Sequence, residues 1–237
     1  MRVTNTLFGT TPLVIHAQGH HDYKPLWPPI RDRFFASPPR VVPAPAELTI
    51  LTCNNGHPAM GLLERSLEHL GLPYVVAGQG VRDWRNARDK PRAIVEALTT
   101  IATPYTLYAD SRDAIVIDDP SALIGRFESF ACDLVFSADR MNWPPLSSFR
   151  AYEDSLAAGS GSDFRYLNGG IWIGRSEFCR EFVARVADVA PIAEANDSEQ
   201  GLLKQLLPLY ARQVKLDYRC SMFQNIGFIG KPILRID

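Results

Sequence analysis

The sequence predicts a single α/β domain in which a mixed, mainly parallel central sheet is flanked by helices. Strand-like apolar runs at 47–53, 73–78 and 105–110 alternate with two segments, 59–70 and 90–101, whose apolar residues recur at helical spacing. This β-α-β-α-β order requires crossover connections, which pair strands in parallel and place helices on the faces of the sheet. The length of 237 residues is that of one large domain with its own core.

The rest of the chain continues the alternation of helices and strands. Further helices are predicted near 120–130 and over 176–189 and 198–207, and further strands over 133–139, 166–174, 214–218 and 232–236.

A proline-rich stretch divides the chain into two unequal parts. Its prolines disfavour regular pairing and favour an extended connector, which we place at 36–47. The connector separates a short N-terminal segment, 1–35, from the main body, 48–237.

Composition and charge exclude several classes of protein. The formal net charge is −1, so no overall field attracts nucleic acid or an anionic membrane. No apolar run is long enough to cross a bilayer, and the N-terminus lacks the pattern of a signal peptide. The four cysteines are widely spaced without a C-x-x-C pair, which is typical of reduced, buried thiols. We therefore expect a cytoplasmic protein with no nucleic-acid partner and no membrane span.

An acidic turn after the third predicted strand is the most informative segment. Asp110 and Asp113 follow the apolar run 105–109 directly. Ligands of open α/β sheets bind beyond the carboxyl ends of the strands, and two converging carboxylates there suit Mg²⁺ or Mn²⁺. The alternative is that Asp110 caps the next turn and Asp113 is solvated. The turn alone does not decide between them.

The N-terminal segment carries a second group of polar residues. A short strand ends at His16, which could supply one metal ligand, and Gly19 and Lys24 could approach a phosphate through a backbone N–H and a positive charge. His20 and His21 are expected to be surface-exposed, because adjacent loop residues rarely chelate together.

Two further segments each allow a structural and a functional interpretation. Gly169 and Gly170 interrupt an apolar strand, which indicates either a tight bend or a place where a ligand meets bare backbone. The segment 196–200, with the sequence N-D-S-E-Q, opens a helix, and capping would be sufficient to explain it.

The ordered set of motifs resembles a known family. The family is the glycosyltransferase domain of the procollagen lysyl hydroxylases and related collagen glycosyltransferases. The motifs similar to it are, in order, D-S-R-D after a strand, W-P-P, Y-L-N-G-G-I-W-I-G, D-S-E-Q and L-D-Y-R-C-S-M-F-Q-N. The resemblance spans 48–237. It implies the GT-A fold, UDP-glucose or UDP-galactose as donor, and a requirement for Mn²⁺.

The resemblance also implies roles for individual residues. Asp110 and Asp113 match the metal-binding D-x-x-D pair, and Trp84 matches a tryptophan that lines the nucleotide site. The other matches are Thr52 and Asn54 at the uridine, Lys90 as a basic residue preceding the second helix, Asn168, Gly169 and Gly170 near the transferred sugar, and Asp197, Glu199 and Gln200 in an acidic run that Ser198 interrupts here.

The N-terminal segment fits the same family out of order. T-P-L-V-I-H-A-Q-G resembles a family segment that normally follows F-Q-N, at the end of the domain. A circular permutation would account for this order, with the connector joining the old C-terminus to the old N-terminus. His16 would then complete the metal site and Lys24 would face the diphosphate.

Together these observations predict a metal-dependent glycosyltransferase that moves a hexose from a UDP-sugar to an unidentified hydroxyl acceptor. Asp197, Glu199 and Asn168 are the candidate catalytic residues, and the stereochemical outcome stays open. Two alternatives come from other classes: a non-catalytic domain that binds nucleotide-sugar or protein, and a metal-dependent phosphohydrolase using the same acidic pair.

Overall fold

A computed structural model describes residues 1–19, 24–56, 61–195 and 197–237. The chain contains eleven strands and seven α-helices within these ranges. The strands are β1 (Val3–Asn5), β2 (Val14–His16), β3 (Leu48–Cys53), β4 (Val75–Ala77), β5 (Tyr105–Ala109), β6 (Ala114–Val116), β7 (Leu134–Asp139), β8 (Tyr166–Arg175), β9 (Val214–Asp217), β10 (Phe223–Asn225) and β11 (Leu234–Ile236). The helices are α1 (Trp27–Ala36), α2 (Leu62–Leu70), α3 (Asn86–Thr100), α4 (Ala122–Glu128), α5 (Ser147–Leu156), α6 (Ser176–Asp188) and α7 (Glu199–Leu206).

The central sheet has six strands in the order β4-β3-β5-β8-β7-β9. Strand β8 runs antiparallel to both of its neighbours, and the other three pairings are parallel. The prediction of a mixed, mainly parallel sheet flanked by helices is therefore confirmed.

Alternating side chains of the central sheet feed two hydrophobic cores. On β5, Leu107 and Ala109 belong to one core, together with apolar residues of α1, α2 and α4, whereas Tyr108 belongs to the other, with apolar residues of α3, α6 and α7. This alternation follows from the two-residue period of a strand that is covered on both faces.

A second, three-stranded sheet has the order β10-β2-β6. Strand β2 pairs in parallel with β10 and antiparallel with β6. The N-terminal segment is therefore built into the body of the domain. Strands β1 and β11 form a separate antiparallel pair, in which Arg2 and Asp237 exchange two backbone hydrogen bonds.

Several element boundaries differ from the prediction. Helix α2 is described from Leu62, and residues 57–60, which include the predicted start of this helix, lie outside the described residues. Helix α3 begins at Asn86, so Lys90 lies inside the helix and does not precede it. The helix starts one turn earlier than its apolar periodicity indicates, and it contains Pro91.

None of the described helices is both long enough and apolar enough to cross a membrane.

Candidate active site

The candidate site lies where several strands of both sheets end. The acidic turn 110–113 connects β5 to β6, so the turn joins the central sheet to the small one. The backbone N–H of Asp110 donates to Gly170 O at 2.8 Å, and that of Ala17 donates to Asp113 O at 2.7 Å. Strand β8 and the N-terminal segment thus fix the two ends of the turn.

Three side chains converge at this turn. Nε2 of His16 lies 3.3 Å from Oδ1 of Asp113 and 3.8 Å from Oδ2 of Asp110. One potential ligand atom from each of the three residues lies within 4.8 Å of the other two. Asp113 therefore has charged neighbours, His16 and Lys24, and Oδ1 of Asp110 accepts from the side chains of Lys90 and Tyr108. One imidazole nitrogen and two carboxylates are a donor set that could hold a divalent metal ion.

A neighbouring amide sets the orientation of the His16 ring. Nδ2 of Asn225 donates to Ala138 O at 2.8 Å, which turns its Oδ1 toward Nδ1 of His16 at 2.9 Å. Nδ1 must therefore be the protonated nitrogen, and Nε2 presents its lone pair to the carboxylates when the ring is neutral. This arrangement of a ligand and its hydrogen-bonded support is typical of metal-binding histidines.

The charges around the cluster are strongly coupled. Burial opposes the charged form of His16, but Asp113 and Asp110 outweigh it and raise the pKa of the imidazole. Burial likewise acts to raise the pKa of Asp113, but His16 and Lys24 outweigh it, and the pKa is lowered. Nζ of Lys24 lies 4.0 Å from Oδ2 of Asp113.

A buried lysine links the acidic turn to α7. Nζ of Lys90 lies 2.8 Å from Oδ1 of Asp110 and 3.3 Å from Oε2 of Glu199. The Tyr108 hydroxyl also donates to Oδ1 of Asp110, at 2.8 Å. Burial opposes the charge of Lys90, but Asp110 and Glu199 raise its pKa above the usual range. Burial raises the pKa of Glu199 despite this lysine.

The two strand glycines leave space for this cluster. Residues 169–171 of β8 have no partner in β7, so the strand bulges at the glycine pair. A Cβ atom on Gly170 would overlap the His16 ring and lie 2.8 Å from Oδ2 of Asp110. A Cβ atom on Gly169 would lie 2.6 Å from Leu203 of α7. The bare backbone therefore allows the turn, β2 and α7 to approach β8 closely.

Two cavities meet at the cluster. The first, of about 660 Å³, extends from Asp110 to Asn54 and Trp84, and the second, of about 570 Å³, extends to Asn168 and Glu199. Residues that line both cavities are Asn86, Asp110, Asp113 and Asp197.

Most predicted site residues face one of these cavities. Trp84 packs against Gly78, and its indole N–H donates to Oδ1 of Asn86 at 2.7 Å. Gly19, with φ of +81°, and Gln200 line the second cavity. Asp197 lies at the opening of α7, where Ser198 makes no side-chain capping bond. The side chain of Ser198 therefore does not cap α7. Asn196, His20 and His21 lie outside the described residues.

Two predicted residues are placed differently from the expectation. Thr52 is fully buried and donates its hydroxyl to Ala109 O at 2.7 Å, so its side chain does not reach the first cavity. The N–H of Gly169 is already bonded to Oε1 of Gln200 at 3.0 Å, so it is not available to a ligand.

Sequence reasoning assigned no role to the residues that support the cluster. Asn225 orients His16, Tyr108 binds Asp110, and Asp139 lies buried in the second cavity, where it accepts from Gln18 and Asn168. The F-Q-N motif contained Asn225, but only the pairing of β10 with β2 reveals its partner.

Comparison with known proteins agrees with this geometry. The family model described as the PLOD GT domain matches residues 46–233. The chain is 22% identical to mouse procollagen-lysine,2-oxoglutarate 5-dioxygenase 2 over 84% of its own length. It is 25% identical to rat procollagen-lysine,2-oxoglutarate 5-dioxygenase 1 over 72% of its length. It is 28% identical to the fruit fly (Drosophila melanogaster) procollagen-lysine,2-oxoglutarate 5-dioxygenase over 55% of its length. The matched region spans only 18% to 28% of these relatives. Since the family model covers most of the chain, the protein belongs to the PLOD GT domain family, a family of glycosyltransferase domains.

Proposed function

We propose that the protein is a metal-dependent glycosyltransferase that moves a hexose from a UDP-sugar to a hydroxyl acceptor. The observation that carries this proposal is the His16–Asp110–Asp113 cluster at the junction of two cavities. The ring orientation imposed by Asn225 fits a bound ion, and the missing side chain of Gly170 lets His16 and Asp110 approach each other closely enough to share one. Mn²⁺ or Mg²⁺ held there would neutralise charge on the departing diphosphate.

The first cavity suits the nucleotide. Trp84 offers an aromatic face for a base, and Asn54 lines the same cavity. Lys24, close to Asp113, adds a positive charge on the diphosphate side. Thr52 contributes to this cavity only through its strand, since its hydroxyl is bonded internally.

The second cavity suits the hexose and its acceptor. Asn168 and Gln200 offer hydrogen-bonding groups beside the bare Gly170 backbone, and Glu199 lies next to Lys90. A carboxylate whose pKa is raised toward neutrality is a suitable general base for an acceptor hydroxyl. If Glu199 or Asp197 activates that hydroxyl, the reaction inverts the anomeric centre; otherwise retention is expected.

We also propose that residues 1–35 are a permuted C-terminal segment of the domain, that 36–47 connect it, and that 48–237 form the main body. Support comes from β2, which pairs with β10 as a strand following it in the family order would do, and from His16 beside Asp113. Residues 1–45 lie outside the region matched by the family model, as a displaced segment would.

The first test is ligand binding with and without metal. Thermal unfolding is measured with UDP, UDP-glucose, UDP-galactose and GDP-mannose, each with and without Mn²⁺, followed by a transfer assay with model hydroxyl acceptors. Stabilisation by UDP-sugars that requires Mn²⁺ supports the proposal. Cleavage of nucleotides regardless of the sugar would instead identify a phosphohydrolase, and the absence of any response would favour a non-catalytic domain.

Substitution of the acidic turn provides the second test. Asp113→Asn should lower the rate of donor turnover by an amount corresponding to about 3–4 kcal/mol of transition-state stabilisation, as for the loss of a preorganised electrostatic partner. The matched control is Asp163→Asn, because Asp163 is an exposed carboxylate bonded only to Arg140 among the described residues. Full Mn²⁺-dependent activity of Asp113→Asn would contradict the metal assignment.

A further inference from the structure

A buried carboxylate on α2 contacts the acidic turn through Ser111. Glu64, in the first turn of α2, is 3% exposed. The Ser111 hydroxyl donates to it, 2.7 and 2.9 Å from its two oxygens, and Nδ2 of Asn54 donates to Oε1 at 2.9 Å. Glu64 therefore contacts both the acidic turn, between Asp110 and Asp113, and a residue of the nucleotide cavity.

The backbone of α2 is fitted to the same turn. The N–H of Leu63 donates to Ser111 O at 3.0 Å. A Cβ atom on Gly61 would overlap Ser111, so the start of α2 could not lie this close with a larger residue. At the other end, Val116 N–H donates to Oγ of Ser66 at 3.0 Å. Helix α2 thus holds the chain on both sides of Asp113.

The partners of this carboxylate are hydroxyl and amide groups. No Lys or Arg of the described ranges lies within 4.0 Å of Glu64. Its oxygens instead accept hydrogen bonds from Ser111 and Asn54, which ties its position to the acidic turn and to the first cavity. Residues that support metal ligands from behind are frequently of this kind, because they fix the ligands before the ion arrives.

We propose that Glu64 is a positioning residue that fixes the acidic turn for metal binding through Ser111 and fixes Asn54 for the nucleotide. This inference rests on the proposed function and deepens it. Glu64 touches neither ion nor donor; it acts through Ser111, which lies between the two carboxylate ligands, and through Asn54.

The test measures Mn²⁺ affinity directly, by electron paramagnetic resonance of free Mn²⁺, in wild-type protein and in Glu64→Gln. The substitution removes the negative charge and puts an N–H₂ donor in place of one of the two carboxylate oxygens that face the Ser111 hydroxyl. We expect Mn²⁺ affinity to fall by about 10- to 100-fold, the usual loss when the support of a ligand is removed. At saturating Mn²⁺, kcat should be largely restored while KM for the donor stays raised.

Two further variants separate positioning from folding. Ser111→Ala removes the same link with a small side chain and should reproduce the loss of Mn²⁺ affinity. Thr106→Val removes a buried hydrogen bond to Ser176 at the other end of β5, so it should lower Tm and leave Mn²⁺ affinity unchanged.

The possible outcomes are distinct. Wild-type Mn²⁺ affinity in both Glu64→Gln and Ser111→Ala overturns this inference and leaves the proposed function standing. The inference is also overturned if Thr106→Val loses Mn²⁺ affinity in proportion to its loss of Tm, as the Glu64 and Ser111 variants do. A wild-type protein that binds no Mn²⁺ overturns the proposed function as well.

Discussion

Gly170 has its Cα next to the His16 ring and the Asp110 carboxylate, so at this residue the presence of a single methyl group decides whether the cluster can form. Its backbone carbonyl also accepts the hydrogen bond that fixes Asp110. The glycine is thus required by close approach rather than by an unusual backbone conformation.

We predict that Gly170→Ala abolishes Mn²⁺ binding, because the new methyl group would displace His16 from Asp110. The matched control is Gly125→Ala in α4, where an added Cβ meets no atom within 4 Å. That control should be neutral or stabilise the helix by up to about 1 kcal/mol. Isothermal titration with Mn²⁺ and thermal unfolding measure both effects. Unchanged metal binding by Gly170→Ala would show that the site lies elsewhere.

Metal binding should also depend on pH through His16. Its pKa is raised above the usual 6.5, so a proton competes with the ion for Nε2 below that raised value. Mn²⁺ affinity should therefore increase as the pH rises through it.

In the metal-free protein, the contribution of His16 to stability has the opposite pH dependence. Protonated His16 stabilises the fold fully below pH 6.5, and this contribution is lost as the pH rises through the raised pKa. The Tm difference between wild type and His16→Gln should accordingly shrink as the pH rises through that raised pKa. A difference that grows with pH would contradict the upward direction of the pKa change.

Among the elements, α7 depends on a buried ion pair for its position. Nζ of Lys204 lies 2.8 Å from Oε2 of Glu153 on α5, and both side chains are 1% exposed. Lys204 also donates to Asn142, and Glu153 accepts from the N–H of Leu167 at the start of β8. This network places α7, which carries Glu199, against the second cavity.

We predict that Lys204→Met destabilises the protein by about 3–5 kcal/mol, because it leaves the Glu153 carboxylate buried without its cation. Adding Glu153→Leu should recover part of that loss, since the uncompensated charge is then removed. Urea denaturation of the two single variants and the double variant measures the coupling. Additive losses in the double variant would mean that the two residues act independently.

The sequence predicted the central sheet better than the small one. Strands β3, β5 and β8 are long apolar runs, and their pattern alone indicates their burial. Strands β2, β6 and β10 have three residues each and pair across long separations. The sequence predicts β2, as the short strand that ends at His16, but not its partners. For the same reason Asp110 and Asp113 were predicted from one local turn, whereas the supporting roles of Asn225 and Glu64 were not.

At the scale of the whole molecule, the N-terminal segment and the final strands form one continuous structure. Strand β1 pairs with β11 out to Arg2 and Asp237, and β2 pairs with β10. The antiparallel pair β1 and β11 has the geometry of a β-hairpin without a connecting loop.

We therefore predict that the order of segments can be reversed without loss of the site. A variant that begins at Ala46 and joins Asp237 to Arg2 through a loop of about two residues should keep the Tm and Mn²⁺ affinity of the wild type. Removal of residues 1–36 is the control and should abolish Mn²⁺ binding, because it deletes His16. A re-joined variant that folds but binds no Mn²⁺ would contradict the permutation.

The pairing of β2 with β10 has a consequence for protein synthesis. His16 and its orienting partner Asn225 lie 209 positions apart in the chain. Strand β2 can pair with β6 earlier, but its pairing with β10 must wait until that strand has been translated, and such distant pairings close slowly. The support of the His16 ring by Asn225 is thus acquired late, so tight Mn²⁺ binding would follow the translation of β10.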